Sequence, residues 1–184
     1  VLIVDQWGNR AVYATTLGDP FGSAVVVPGY GFLLNNQLAH FDADPNHKDA
    51  DPEVSNLAEG EKSPRVQIAP VFVFREGKLW LMAGSSGNVE DAVPALITVL
   101  VQMIDFENSP EDALRSARVL DRDGLLEMEP ELYKNSLLKV QLELWGHYTL
   151  NRENIGNVQM IYFDDSGKIT GESDPRGKGE AAGF

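Results

Sequence analysis

Gly84-Ser85-Ser86-Gly87-Asn88 is the stretch of this sequence with the plainest chemical potential. It follows a short apolar run at 78–83 and precedes a long apolar segment, so it reads as a strand, a glycine turn and a helix without a spacer. Such a junction leaves backbone N–H groups unpaired at the strand end and helix head, where they can hold an anion or a developing oxyanion. The same residues also describe a plain tight connection, because glycine and asparagine tolerate positive φ. Tandem Thr15-Thr16 offers hydroxyls for nucleophilic chemistry, but threonines within a strand are better explained by β propensity. Asp42, Asp44, Asn46 and Glu53 stand at the first, third, fifth and twelfth positions of a calcium loop. His47 replaces the glycine that the sharp turn needs, Pro52 intrudes and no helices flank the loop, which favours a solvated acidic loop. His40, His47 and His147 lack metal-ligand spacing, and neither a G-x-S-x-G nor a P-loop motif occurs. No metal and no cofactor is expected.

The elements that must position the turn follow from pattern. Residues 1–4 and 10–16, separated by Asp5-Gln6-Trp7-Gly8-Asn9, read as a β-hairpin. Residues 66–74 and 78–83 form a second hairpin around Arg75-Glu76-Gly77, and 157–163 with 168–171 a closing one around Asp164-Asp165-Ser166-Gly167. The helix after the turn begins near Asp91, with Asn88 or Asp91 as cap, because Pro94 is tolerated only in a first turn. Val93, Leu96, Ile97, Leu100, Val101 and Ile104 cover most of its circumference, which predicts a largely buried helix. Ser109-Pro110-Glu111-Asp112 starts a helix expected to reach about residue 119. A short strand is expected at 125–128, then one helix over 131–145. Between residues 40 and 64 the composition turns to acids, Pro, Asn, Gly and Lys, which predicts a long surface loop.

The 184 residues suffice for one domain over 1–184, and 43% hydrophobic content supplies a core. Sheets with helices packed on them, an α+β architecture, fit the element order. A net charge of −13, from 28 acids against 15 bases, argues against nucleic acid and anionic membranes, leaving small molecules or other proteins as partners. Cysteine is absent, so thiol nucleophiles, disulfides and thiolate metal sites are excluded. No run has the length of a membrane span, and the first residues lack signal-peptide order, so the expectation is a mature, soluble chain. The chain opens on Val1, in the middle of an apolar strand, as a fragment or processed product would.

Several pieces, in order along nearly the whole chain, make a more specific pattern. They are Val4-Asp5 with Gly8-Asn9; Thr16-Leu17 with Phe21-Gly22; Gly31-Phe32-Leu33-Leu34-Asn35-Asn36-Gln37 with Phe41; Pro70; Gly84-Ser85 with Gly87; and Ser173-Asp174-Pro175-Arg176 with Gly179, Ala181 and Gly183. This ordered set resembles the small subunit of the γ-glutamyltranspeptidase family, within the N-terminal nucleophile hydrolases. The resemblance implies a four-layer αββα sandwich completed by a large subunit cut from the same precursor. It also implies autoproteolytic processing and a role in glutathione metabolism. The nucleophile it implies is a new N-terminal Thr, a few residues before the first hairpin and so just upstream of Val1, with its own amine as base.

Residue by residue, the resemblance gives Thr16 the hydroxyl that supports the nucleophile, and Gly87 and Asn88 the backbone oxyanion donors. Gly18 falls where the family has a substrate-holding Asn. His40 falls where the family has the Asp that binds the substrate's α-amine, and Val66 and Gln67 where paired serines bind its α-carboxylate. A γ-glutamyltransferase- or hydrolase-like enzyme with altered specificity for an amide or γ-glutamyl small molecule is one reading. A non-catalytic structural or binding relative with a decayed pocket is the other, and the residue encoded at the cleavage point would separate them. The family's periplasmic or extracellular setting would follow for the first, while a cytoplasmic one also fits the composition.

Overall fold

The computed structural model describes residues 1–42, 56–88 and 90–183. It divides into two compact units, Val1–Ala14 with Ile68–Phe184, and Thr15–Gln67. The first unit opens with the expected hairpin, β1 (Leu2–Val4) antiparallel to β2 (Arg10–Val12). Asp5 makes its turn: the carboxylate accepts from the Trp7 and Asn9 amides at 2.9 and 2.8 Å and from Asn9 Nδ2 at 2.7 Å. The Asn9 side chain, ahead of those backbone donors, holds the Asp5 carboxyl below its ordinary value.

Four antiparallel strands form the main sheet in the order β3 (Val71–Arg75), β4 (Lys78–Ser86), β8 (Asn157–Phe163), β9 (Ile169–Ser173). Pairing puts Ala83 opposite Met160 and Ser85 opposite Val158, and places Met82 opposite Ile161 on the other face. On the first face lie α1 (Ala92–Ile104) and α2 (Pro110–Arg115). Leu81, Ala83, Val158 and Met160 of the sheet pack there against Ala95, Leu96, Val99, Met103, Ala113 and Leu114. Met82, on the second face, is also 0% exposed. The β1–β2 hairpin touches β4 and β8, and Arg10 lies over the Phe163 ring, two residues along β8 from Ile161. This unit therefore stacks a hairpin, a sheet and helices. β4 runs to Ser86, three residues past the expected end, because its last residues keep their ladder with β8.

Three expectations are corrected. The helix opened by Ser109 stops at Arg115 rather than near 119; Ser109 Oγ caps it by accepting from the Asp112 amide at 3.1 Å. Arg118 is drawn inward and β5 (Val119–Arg122) begins at once. The single helix expected over 131–145 is two, α3 (Pro130–Tyr133) and α4 (Ser136–Leu144), split where Asn135 leaves helical geometry and caps α4 through the Leu138 amide at 3.1 Å. This pair carries the chain from β6 (Leu125–Met128) to β7 (Tyr148–Asn151), which lie parallel in a sheet ordered β5-β6-β7. Finally, α1 is not largely buried: Ile97 and Ile104 are 54% and 52% exposed. Sheet and α2 cover one face of it, and its sequence is apolar all round.

A buried ion network joins β5, β6, β8 and β9. Arg118, 0% exposed, reaches Asp174 Oδ2 at 2.5 Å and donates to the Ile155 and Leu114 carbonyls at 2.9 and 3.3 Å. Glu129 accepts from the amides of Arg118 and Ile155 at 3.0 and 2.8 Å and from Arg176 Nε at 2.6 Å. Arg176 also donates to the Leu114 and Ser116 carbonyls at 2.7 and 2.9 Å. Burial lowers the Arg118 pKa although Asp174 pulls it upward.

The second unit has little regular structure among its described residues. Ser23 and Val27 donate to the Leu34 and Phe32 carbonyls and Leu34 donates back to Val25, an open hairpin around Pro28-Gly29. Gly22, at φ +53°, is required at its base, because a Cβ there would sit 2.1 Å from the Leu34 carbonyl oxygen. A 3-10 turn spans Gln37–His40. Asp44, Asn46, His47 and Glu53 of the calcium-like pattern lie outside the described residues, so only Asp42 is seen, its carboxylate accepting from the Asn56 amide at 3.1 Å.

Candidate active site

The turn after β4 is built by close backbone packing. Ser86 ends the ladder opposite Asn157, and Gly87 turns away at φ +146°. A Cβ on Gly87 would lie 3.1 Å from Gly156 Cα and 3.5 Å from Asp91 Cβ. Gly156, at φ +62°, packs in turn so closely on α1 that a Cβ there would sit 2.4 Å from Ala95 Cβ. Both positions need glycine. The Asn88 carbonyl accepts from the Asp91 amide at 2.9 Å, and the Asp91 carbonyl accepts from Ala95 at 3.0 Å, so the turn runs directly into α1. Gly87 and Asn88 are exposed, and neither of their amides has an acceptor among the described residues.

Charges gather at the same helix head, and sequence patterning missed them. Asp91, 3% exposed, precedes the first helical residue without using its side chain as a cap. Its carboxylate is instead held by Arg122 Nη2 at 2.9 Å and Arg152 Nη2 at 2.5 Å. Glu127 contacts both guanidinium groups, and Arg122 also reaches Glu90. Burial raises the Asp91 carboxyl above its ordinary range in spite of Arg152, which pulls it down. Burial would lower Arg152, but its bonds to Glu127 and Asp91 raise it.

The residues assigned by resemblance in the second unit also converge. The Gly18 amide donates to Thr16 Oγ1 at 3.0 Å. Gly18, at φ +90°, leaves room for Asn36 and His40: a Cβ on it would meet Asn36 Oδ1 at 2.0 Å and His40 Nε2 at 3.5 Å. Asn36 fixes this loop, its Oδ1 accepting from the Asp19 amide at 3.0 Å and its amide donating to the Leu17 carbonyl at 2.9 Å. Asn56 links the His40 turn to the other pair. Its Nδ2 donates to the His40 carbonyl at 2.5 Å, and its Oδ1 accepts from the Arg65 amide at 3.1 Å, next to Val66 and Gln67. Asn36 enters the sequence pattern above without a role at the site and Asn56 is absent from it; asparagines set among turn residues are the signal that marks both. Val66 is exposed, whereas His40 Nδ1 and Gln67 Oε1 are buried atoms without a hydrogen-bond partner among the described residues.

The sequence model of the family described as Gamma-glutamyltranspeptidase matches residues 1–184. The chain belongs to the γ-glutamyltranspeptidase family. Within that family's reach it is 31% identical over 185 residues to the glutathione hydrolase proenzyme of Bacillus subtilis (strain 168), covering 99% of this chain and 30% of the relative. It is 27% identical to the acylase ACY 1 proenzyme of Pseudomonas sp. (strain SE83), covering 93% and 29%. The chain thus spans about a third of the length of the curated relatives it matches. The solved γ-glutamyltranspeptidase of Pseudomonas nitroreducens complexed with L-DON superposes with a TM-score of 0.87 at 27% identity, covering 100% of this chain and 97% of that one. The fold is that of the γ-glutamyltranspeptidases, as the resemblance implied.

Proposed function

We propose that the complete protein is an amide hydrolase or acyltransferase of the γ-glutamyltranspeptidase type, with an N-terminal Thr nucleophile just upstream of Val1 and a specificity shifted from ordinary γ-glutamyl compounds. Family membership supports the reaction class. The observation that carries it is the turn at Gly87 and Asn88, whose two amides have no acceptor among the described residues at the head of α1. In this reading the nucleophile's amine takes the hydroxyl proton, the hydroxyl attacks the amide carbonyl, and the Gly87 and Asn88 amides receive the oxyanion. Collapse, with the proton passed from the N-terminal ammonium to the leaving nitrogen, expels the amine and leaves an acyl ester, which water or an acceptor amine then resolves as the same amine takes its proton. Thr16 Oγ1 supports the nucleophile's hydroxyl. The partner in this reading is a large subunit from the same precursor, supported by proenzyme relatives about three times longer and by a solved relative chain of matching extent.

The shifted specificity rests on His40, Val66 and Gln67. A buried substrate ammonium needs a carboxylate, and a buried carboxylate needs donors; leaving either unpaired costs on the order of 2–5 kcal/mol. That corresponds to about 30- to 5,000-fold in turnover efficiency. The same three residues favour the second reading, a non-catalytic relative. Expression of the complete precursor decides between them. Self-cleavage to a new N-terminal Thr, seen by mass spectrometry and abolished by Thr→Ala there, is expected for the enzyme. An uncleaved, inert precursor supports the non-catalytic relative. γ-Glutamyl-p-nitroanilide and glutathione should be poor substrates, and turnover like that of the B. subtilis relative would overturn the shifted specificity.

A further inference from the structure

We infer that Asp91, clamped by Arg122 and Arg152, is the positioning residue of the Gly87–Asn88 turn; the inference rests on the proposal that those two amides receive the oxyanion. An aspartate directly before a helix ordinarily turns its carboxylate back to accept from the first-turn amides. Asp91 does not, and its carboxylate is spent on two guanidinium groups that come from β5, 31 residues away, and from just beyond β7, 61 residues away. Asp91 is buried while Arg122 and Arg152 keep 27% and 20% of their side-chain surface, so a desolvated carboxylate is held between two partly exposed cations, a costlier arrangement than a cap on the first-turn amides. Asp91's amide is hydrogen-bonded to the Asn88 carbonyl, which ties the end of the turn to the helix head, and its Cβ lies 3.5 Å from where a Cβ on Gly87 would be. Gly156 packs beside it, its Cα 3.1 Å from where a Cβ on Gly87 would lie. The clamp therefore anchors the residue against which the turn is folded, while Glu127 holds the two arginines at their spacing by contacting both.

An anchor of this kind acts on geometry that matters only when negative charge develops, so its loss should appear in kcat and not in KM. The test uses the complete, matured protein, with Asp91→Asn and Arg152→Gln attacking the clamp from its two sides and Glu111→Gln, an exposed residue of α2, as control. The probe is γ-glutamyl-p-nitroanilide, with glutaryl-p-nitroanilide, which lacks the ammonium, beside it because His40 stands where the resemblance puts the ammonium's partner. Complete loss of one oxyanion donor costs 100- to 1,000-fold, so displacement of the turn is expected to lower kcat about 10- to 100-fold per titrated active site with KM within about twofold. The double variant should be no worse than the worse single one, since both break one clamp. Amide hydrogen exchange supplies a readout independent of turnover: peptides covering 84–91 should exchange about tenfold faster in Asp91→Asn, while those over β8 stay unchanged. Unchanged exchange, or a lower melting temperature with unchanged kcat, overturns the positioning role. Gly87→Pro separates the two claims. If Gly87→Pro retains turnover, the oxyanion reading fails; if it abolishes turnover while Asp91→Asn keeps full kcat, the positioning inference alone fails.

Discussion

Asp174→Asn removes one negative charge from the interior and almost no volume. Asp174 Oδ2 accepts from Arg118 at 2.5 Å and from the Val158 amide at 2.9 Å, and Oδ1 accepts from the Arg176 amide at 3.0 Å. Both members of the Arg118–Asp174 pair have 0% exposed side chains. An amide can keep the Val158 contact through its oxygen, but it cannot compensate a guanidinium that has no water to turn to. Breaking a buried pair from one side costs about 3–5 kcal/mol. At about 2–4 °C per kcal/mol for a domain of this size, the melting temperature should fall by roughly 6–20 °C. The comparison is Glu111→Gln, which breaks the Arg115–Glu111 pair whose side chains are 63% and 62% exposed. An exposed i,i+4 pair contributes about 0.3–0.5 kcal/mol, so that variant should melt within about 2 °C of the parent. Differential scanning calorimetry or urea unfolding of the complete protein measures both. If Asp174→Asn and Glu111→Gln melt together, the network stabilises no more than a surface pair, and the reasoning from burial is wrong.

Gly87→Pro should abolish turnover without dissociating the protein, because it removes an N–H and cannot adopt φ +146°, whereas Asn88→Ala keeps its backbone donor and should change kcat only a few-fold; steady-state kinetics with size-exclusion chromatography reads both. Leu81→Ala, at the centre of the sheet–helix core, should cost about 2–5 kcal/mol in urea unfolding, and a loss below about 1 kcal/mol would mean that the core collapses around the gap. Burial alone would raise Glu127, but the Arg152 hydrogen bond and the neighbouring Arg122 guanidinium outweigh it and hold the carboxyl below its ordinary 4.5. A carboxyl depressed in the folded state stabilises fully above that ordinary value and loses its contribution as pH falls through the lower folded one. Asp91, raised by burial, works in the opposite sense and gains relative stability on protonation. Melting curves taken from about pH 6 to pH 3 should therefore fall more steeply for the parent than for Glu127→Gln, and parallel curves would refute the coupling.

What could be read in the sequence was what adjacent residues decide. The Ser109 cap, the Asp5 turn and the glycine junction after β4 each depend on groups within a few positions, and each stands in the structure where its chemistry put it. The helix break at Asn135 was equally local, and was hidden because Tyr133, Leu137, Val140 and Leu144 keep helical spacing across it. The unread part is non-local. β7 is four residues long and its pairing with β6 is parallel, so no turn announces it. Arg118 looks like any solvated arginine until Asp174 arrives from 56 residues away. The outer face of α1 shows the complementary limit: Ile97, Val101 and Ile104 gave the sequence a buried helix, and the chain's own sheet and α2 cover only the opposite face.

The candidate site divides along the same line. Its backbone donors come from a local motif, so the glycine turn was visible; the carboxylate and two arginines behind it come from three separated elements, so they were not. Local sequence can specify that a turn presents two amides, but it cannot specify the angle at which they are held. That angle is set by contacts that close only when β5, β7 and α1 have assembled. It follows that substitutions at Arg122 and Arg152, remote in sequence from the turn, should alter kcat more than the exposed Asn88 side chain does, and a kinetic comparison of Arg152→Gln with Asn88→Ala would contradict this if the ranking were reversed.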